Sequence, residues 1–123
     1  MSVDMRGYVV LGIKFPDYTS FHAAFGDPDS DASYDALEPY YNVDTGLGVV
    51  SDGMGGKYVV VGDVKMVGDD DAGGGFGQML EVETPTREER GYVAAKIRGI
   101  LPEPLHAQCT ADAVKLLVFT HYS

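Results

Sequence analysis

Cysteine occurs once in this chain, at Cys109, so an internal disulfide and a cysteine-based metal cluster are both excluded. Its setting, among small residues ahead of a strongly apolar segment, marks it as a packing residue, with a reactive thiol as the alternative. Basic residues are scarce as well: nine lysines and arginines face nineteen acids, for a net charge of −10. Affinity for nucleic acid comes from basic side chains displacing counterions from phosphates, so a duplex would be repelled. No window approaches the roughly 18 uninterrupted apolar residues of a membrane helix. The N-terminal stretch carries Asp4, its apolar run begins only at Tyr8, and Lys14 breaks that run. This is not the layout of a signal peptide, and a cytoplasmic location is expected.

What is present suits a folded domain. Apolar residues make up 45% of the 123 positions and aromatics 11%, rich enough to bury a core, and the length fits one domain over residues 1–123. The charge is uneven. Residues 1–71 hold thirteen acids and four bases, net −9, whereas residues 72–123 hold six acids and five bases, net −1. Thirteen of the nineteen acids are aspartates, which favour loops and caps over helix interiors. A solvating surface of the halophilic kind is the alternative explanation of so many acids.

Arg6 to Phe15 is rich in β-branched and aromatic residues and ends at Pro16, predicting a strand apolar on both faces up to Ile13 and inside a sheet. Asp17 to Phe25 has an N-cap candidate at Asp17, apolar residues at Phe21, Ala24 and Phe25, and Gly26 in the stop position, predicting a helix of about two turns. Leu47–Ser51 and Lys57–Val67 are β-type runs joined by Asp52-Gly-Met-Gly-Gly56, a hairpin signature. In its second strand Tyr58, Val60, Val64 and Met66 share one face. Gly68 to Gly75 predicts a mobile loop, and Phe76 to Glu83 a short edge strand. Thr86-Arg-Glu-Glu89 matches a capping box, after which Val93, Ile97, Ile100 and Leu101 recur at helical spacing up to Pro102. Ala113 to His121 is apolar on both faces and is expected at the centre of the sheet. The order strand, helix, hairpin, helix, strand predicts an α+β fold. Its antiparallel or mixed sheet of four to five strands carries one long and one short helix on one side.

The most specific local pattern is Asp27-Pro-Asp-Ser-Asp-Ala-Ser-Tyr-Asp-Ala-Leu-Glu38. It resembles an EF-hand calcium loop, in which a hard cation is wrapped by oxygens at positions one, three, five, seven, nine and twelve. Those positions are Asp27, Asp29, Asp31, Ser33 through its carbonyl, Asp35 and Glu38. The pattern departs from that family at Ala32, where glycine makes the sharp turn, at Pro39, which interrupts the exit helix, and at Tyr34. There is also no second loop to pair with. Calcium is thus a candidate cofactor, and a solvated acidic loop is the alternative.

On the long helix Arg87, Arg90 and Arg98 fall within one arc beside the apolar stripe, joined by Lys96. Arginine forks suit phosphate or carboxylate, so this strip together with Gly53, Gly55 and Lys57 of the glycine turn is a candidate site for a phosphorylated ligand. Salt bridging to Glu88, Glu89 or the acidic half of the chain is the competing reading. The glycine turn fails the Walker pattern: it lacks the first glycine, Tyr58 stands in place of Ser or Thr, and a strand follows. Gly73-Gly-Gly-Phe-Gly77 lacks the spacing of a dinucleotide fingerprint. His22, His106 and His121 form no His-x-x-x-His pair and are expected as surface or cap residues. His121-Tyr-Ser123 has the form of one phosphoesterase His-x-Ser element where two are needed. No residue is nominated as catalytic, and an enzyme is the less favoured class.

The stretch Gly46-Leu-Gly-Val-Val-Ser-Asp-Gly-Met-Gly-Gly-Lys-Tyr-Val-Val-Val-Gly62 resembles a segment of small, uncharacterised accessory proteins of tailed bacteriophages. The resemblance implies a protein made in the host cytoplasm that binds a host component. With the charge distribution, it leads to a non-enzymatic binding protein whose acidic surface, at residues 27–38 and 69–71, engages a basic patch on a host protein. The alternative is a small-molecule binding or sequestering domain for a phosphorylated ligand or nucleotide. A calcium-binding module or small enzyme comes third. Neither a membrane nor nucleic acid is an expected partner, and a homo-oligomer stays open because two-sided apolar strands invite cover from a second copy.

Overall fold

The computed structural model describes residues 5–26, 31–43, 45–52, 57–69 and 84–122. The fold is α+β with an antiparallel sheet. Among the described residues four strands, β1 (Met5–Phe15), β2 (Gly46–Ser51), β3 (Val59–Asp69) and β4 (Lys115–Tyr122), lie in the order β2-β3-β1-β4. Every neighbouring pair is antiparallel. The helices are α1 (Tyr18–Ala23), α2 (Ala32–Leu37) and α3 (Arg87–Ile100), with short 3₁₀ turns at Glu38–Tyr40, Glu103–Gln108 and Ala111–Ala113.

Local chemistry accounts for the helix ends. The Asp17 carboxylate accepts from the Ser20 amide at 3.1 Å and from its hydroxyl at 2.6 Å, opening α1 and holding the Asp17 carboxyl below its ordinary range. Gly26 follows at φ 140°, a conformation glycine adopts without a Cβ penalty. Thr86 accepts from the Glu89 amide at 3.1 Å and so opens α3, the threonine half of the predicted capping box, while its hydroxyl donates to the Glu89 carboxylate at 3.4 Å.

Strand alternation divides the core between the two faces of the sheet. Leu11, Ile13, Phe15, Val49, Val59 and Val61 pack with Phe21 of α1, Leu37 of α2 and Val93, Ala94 and Ile97 of α3. The helices therefore share one side, as expected. On the other face Tyr8, Val10, Val50, Val60 and Val64 form a second cluster with half-buried Tyr58, Leu117 and Phe119. The predicted alignment of Tyr58, Val60 and Val64 on one side of β3 is present. The β2–β3 hairpin also forms, with Ser51 opposite Val59.

Among the described residues β4 pairs only with β1 and stands last in the strand order, where a central place was expected. Its two-sided apolar pattern reports what lies above and below a strand and carries no information about what lies beside it. Leu117 and Phe119 pack on the second cluster, while Leu116 and Val118 on the helix side are 36% and 66% exposed. Gly68 and Asp69, expected at the start of a loop, extend β3 opposite Gly7 and Arg6, while the rest of that loop and the expected edge strand up to residue 83 lie outside the described residues.

The centre of the sheet is unusually tight. Gly48, Gly62 and Gly12 stand in one row across β2, β3 and β1. A Cβ at Gly12 would come within 2.3 Å of the Val61 carbonyl oxygen and 2.7 Å of the Gly62 Cα. Glycine is required at this crossing because neighbouring backbone occupies the place of a side chain.

Candidate functional site

Polar and aromatic side chains converge where α1, α2 and the end of β2 meet. Tyr18 and His22 are four residues apart on α1, and so project from the same face of that helix. Ser33 and Tyr34 come from α2, Tyr41 follows the Glu38–Tyr40 turn and bridges to Val49 of β2, and Ser51 closes β2. The His22 ring is held at both nitrogens, Nδ1 bonding the Ser33 hydroxyl at 2.6 Å and Nε2 the Ser51 hydroxyl at 3.2 Å. It lies 4.3 Å from the Tyr18 ring and stacks on Tyr34 at 5.1 Å, and Tyr34 in turn stacks on Tyr41 at 5.8 Å. The Tyr18 and Tyr34 hydroxyls bond at 2.5 Å.

These contacts set the protonation of the group. Burial lowers the His22 pKa, so the ring is a neutral imidazole with one N–H donor and one acceptor shared between the two serines. The bond from Tyr18, then burial, pushes Tyr34 up to about 12; burial does the same for Tyr41, also to about 12. Both phenols stay neutral at physiological pH. Among the described residues no carboxylate bonds His22, so the orienting third member of a nucleophilic triad is missing.

The electrostatic setting of the cluster is one-sided. Residues 15–56 contain eight carboxylates and no lysine or arginine. Asp31 stands at the N-terminus of α2 with no side-chain capping bond, close enough to raise the Tyr34 pKa. Asp35 is exposed on α2, and Tyr34 itself is 42% exposed. The arrangement is a stack of aromatic faces on a negative surface.

Of the predicted calcium ligands, Asp31, Ser33, Asp35 and Glu38 are described, while Asp27 and Asp29 lie outside the described residues. Residues 32–37 are helical, with the Asp35 amide bonded to the Asp31 carbonyl at 2.8 Å, and the Ser33 hydroxyl is committed to His22. Among the described residues no three His, Cys, Asp or Glu side chains converge as metal ligands would. On α3, Arg87 and Arg98 are exposed and Arg90 is half-buried, its Nε enclosed with no hydrogen-bond partner. None of the three forms an ion pair with a described residue, contrary to the expected salt bridging to Glu88 or Glu89. Lys96 instead lies over the Tyr92 ring at 4.7 Å. Gly53 and Gly55 lie outside the described residues, and the exposed Lys57 donates its backbone amide to Asp52 at 3.2 Å.

The sequence reading placed Ser33 and the surrounding acids but missed Tyr18, His22, Tyr34, Tyr41 and Ser51. The four-residue spacing of Tyr18 and His22 inside a recognised helix was the available signal. His106 is a cap, bonded through Nε2 to the Leu101 carbonyl at 2.8 Å. His22 and His121 are not surface histidines. His121 is buried against Tyr8 and Tyr58, with the Tyr58 hydroxyl 3.1 Å from Nδ1, because β4 turns that side chain onto the second cluster. Cys109 is buried with its thiol directed at the Leu105 carbonyl, and burial raises its pKa, in keeping with a packing role.

The two desolvated histidines, half-buried His22 and buried His121, make stability pH-dependent. Burial lowers both pKa values below the ordinary 6.5, so near that pH the unfolded chain binds more protons than the folded one. Their contribution is full above about pH 6.5 and is lost as the pH falls through the folded-state values. The melting temperature should therefore drop between about pH 7 and pH 5, with a shallower slope in a His121→Leu variant. NMR titration should place both imidazoles below 6.5; ordinary values would contradict this.

Among the described residues no helix is long and apolar enough to cross a membrane. No protein-family model, no curated protein and no solved structure matches the chain.

Proposed function

We propose that this domain acts by binding rather than catalysis, and that it takes a basic partner on the Tyr18–His22–Tyr34–Tyr41 stack. The observation that carries this reading is the coincidence of that stack with the 42-residue stretch, 15–56, that lacks lysine and arginine. A lysine or arginine side chain over a tyrosine face is attracted by the ring quadrupole. The surrounding aspartates attract the same charge at longer range and would speed association. The tailed-phage resemblance fits here, with a host protein bearing a basic patch as the partner class, met in the host cytoplasm.

A lysine- and arginine-rich peptide titrated into the protein should shift the Tyr34 and His22 resonances and bind more weakly as salt rises. Tyr34→Ala, which removes the central ring of the stack, should weaken it about two- to fivefold, corresponding to the 0.5–1 kcal/mol of an exposed cation–π contact. Salt-insensitive binding, or binding that Tyr34→Ala leaves unchanged, would remove this reading.

A second reading rests on Arg90, whose Nε is enclosed and unpartnered on the locally basic helix α3. It favours a small phosphorylated ligand held by Arg87, Arg90 and Arg98. A ligand specific for the folded state raises the melting temperature. No shift with any member of a nucleotide panel would discard it.

A further inference from the structure

The face of the sheet away from the helices is folded into a groove. On a flat sheet Tyr58, which adjoins the Phe15↔Val59 pair, would stand roughly 25 Å along β1 from the Tyr8↔Phe119 pair. Instead the Tyr58 ring lies 6.0 Å from that of Phe119, and its hydroxyl reaches His121. The sheet therefore doubles over, at the row where Gly12 and Gly62 meet backbone to backbone with no side chain between them. Lys14, Tyr58 and Val60 stand on one half and residues 117–120 on the other, and between them runs a groove of about 230 Å³ lined wholly by described residues. Val60 is buried at 3% exposure, and Tyr58, Leu117 and Phe119 are half-buried around it, so the interior is apolar and aromatic. The Tyr58 hydroxyl is already engaged by His121 Nδ1 at 3.1 Å. No carboxylate lines the groove, and its one charged lining residue is the exposed Lys14. A second lysine stands beside it. Strand alternation puts Lys115 on the face of Leu117 and Phe119, and its pairing with Gly12 makes it a diagonal neighbour of Lys14, roughly 7–8 Å away. Neither lysine forms an ion pair with a described residue.

We propose that this groove binds a free medium-chain fatty acid, its tail between Tyr58, Val60, Leu117 and Phe119 and its carboxylate at Lys14 and Lys115. Two observations select this ligand. Two lysines at the mouth of an apolar slot, on a chain of net charge −10, attract an anionic head and leave the slot to an apolar tail. At the packing density of a protein interior, about 0.75, the groove holds about 170 Å³ of ligand, which suits a tail of about eight carbons and is too small for the two long chains of a membrane phospholipid. The site shares no residue with the tyrosine stack or with the arginines of α3, so it stands or falls independently of both.

The test is titration of octanoate into the full chain, followed by NMR. Octanoate should shift the amides of Lys14, Val60 and Phe119 and leave that of Tyr34 in place. Hexanoate should bind roughly fifteenfold more weakly, the loss of two buried methylenes. Octylamine carries the same tail under a cationic head, and repulsion by the lysines should weaken it at least about tenfold against octanoate. Lys14→Gln combined with Lys115→Gln should weaken octanoate about tenfold, the worth of two exposed ion pairs. The melting temperature of that variant without ligand should stay unchanged, because both side chains are exposed. Leu117→Trp fills the groove and should abolish binding; if it does not fold, the lysine variant and the chain-length series decide. Absence of octanoate binding overturns the proposal. So does octylamine binding as tightly, octanoate binding that the lysine variant leaves unchanged, or a set of shifts confined to residues outside the groove.

Discussion

Gly62→Ala should lower the melting temperature by roughly 10 °C, one of the two largest effects expected of a single substitution. The new Cβ would lie 2.4 Å from the Gly12 Cα and 2.4 Å from the Leu11 carbonyl oxygen. Both are main-chain atoms of β1, the strand with β3 on one side and β4 on the other. A flexible side chain could move aside at little cost, but here the response is to spread two paired central strands. Overpacking of this kind costs about 3 kcal/mol, and at this chain length each kcal/mol moves the melting temperature by roughly 3–4 °C. Gly91→Ala supplies the contrast. Gly91 lies inside α3 with nothing within 4 Å of an added Cβ, so alanine should stabilise the helix by up to about 1 kcal/mol. Calorimetry of the two variants decides the matter. If Gly62→Ala melts no lower than wild type, the close approach of β1 and β3 does not constrain the fold.

The second large effect is expected at Phe21, which joins the core to the candidate site. Phe21 is 1% exposed, its ring 5.0 Å from that of Phe15 and 5.6 Å from that of Phe25. Its edge also meets the His22 ring at 5.4 Å. Phe21→Ala should cost about 3–5 kcal/mol, a large fraction of the 5–15 kcal/mol that holds a typical domain together. It should also weaken the basic peptide, because the cavity lies directly under the ring on which Tyr34 stacks. Val93→Ala tests whether that second effect is specific. Val93 is buried in the same core but on α3, so its loss should destabilise the fold without changing peptide affinity in the molecules that remain folded. Equal effects of the two variants on affinity would remove the link between Phe21 and the site.

The elements whose causes are local were legible before any coordinates. Asp17 and Thr86 open α1 and α3 because their side chains reach amides three residues ahead. The β2–β3 hairpin follows from two β-branched runs joined by a short glycine-rich turn. Val93 and Ile97 were recognisable as core because helical periodicity shows on paper which residues share a face. The short α2 was not recognised: a run dominated by Asp, Ser and Ala has weak helical preference, and Leu37, fully buried in the core, anchors it from a distance. The candidate site was legible only in pieces. Its acids stood out by composition, whereas Tyr34, Tyr41 and Ser51 became neighbours of His22 only once α2 and β2 had packed around α1.

By itself the sequence determined an acidic composition, the α+β class, the helix caps, the hairpin and most of the apolar positions, because each depends on composition or on residues within a few steps of one another. Tertiary structure alone decided that β4 pairs with β1, that Gly12 and Gly62 meet backbone to backbone, and that His22 is gripped by two serines from different elements. Alternation along a strand encodes its faces and not its flanks, and hydrogen bonds across 11 and 29 residues of chain leave no periodic trace.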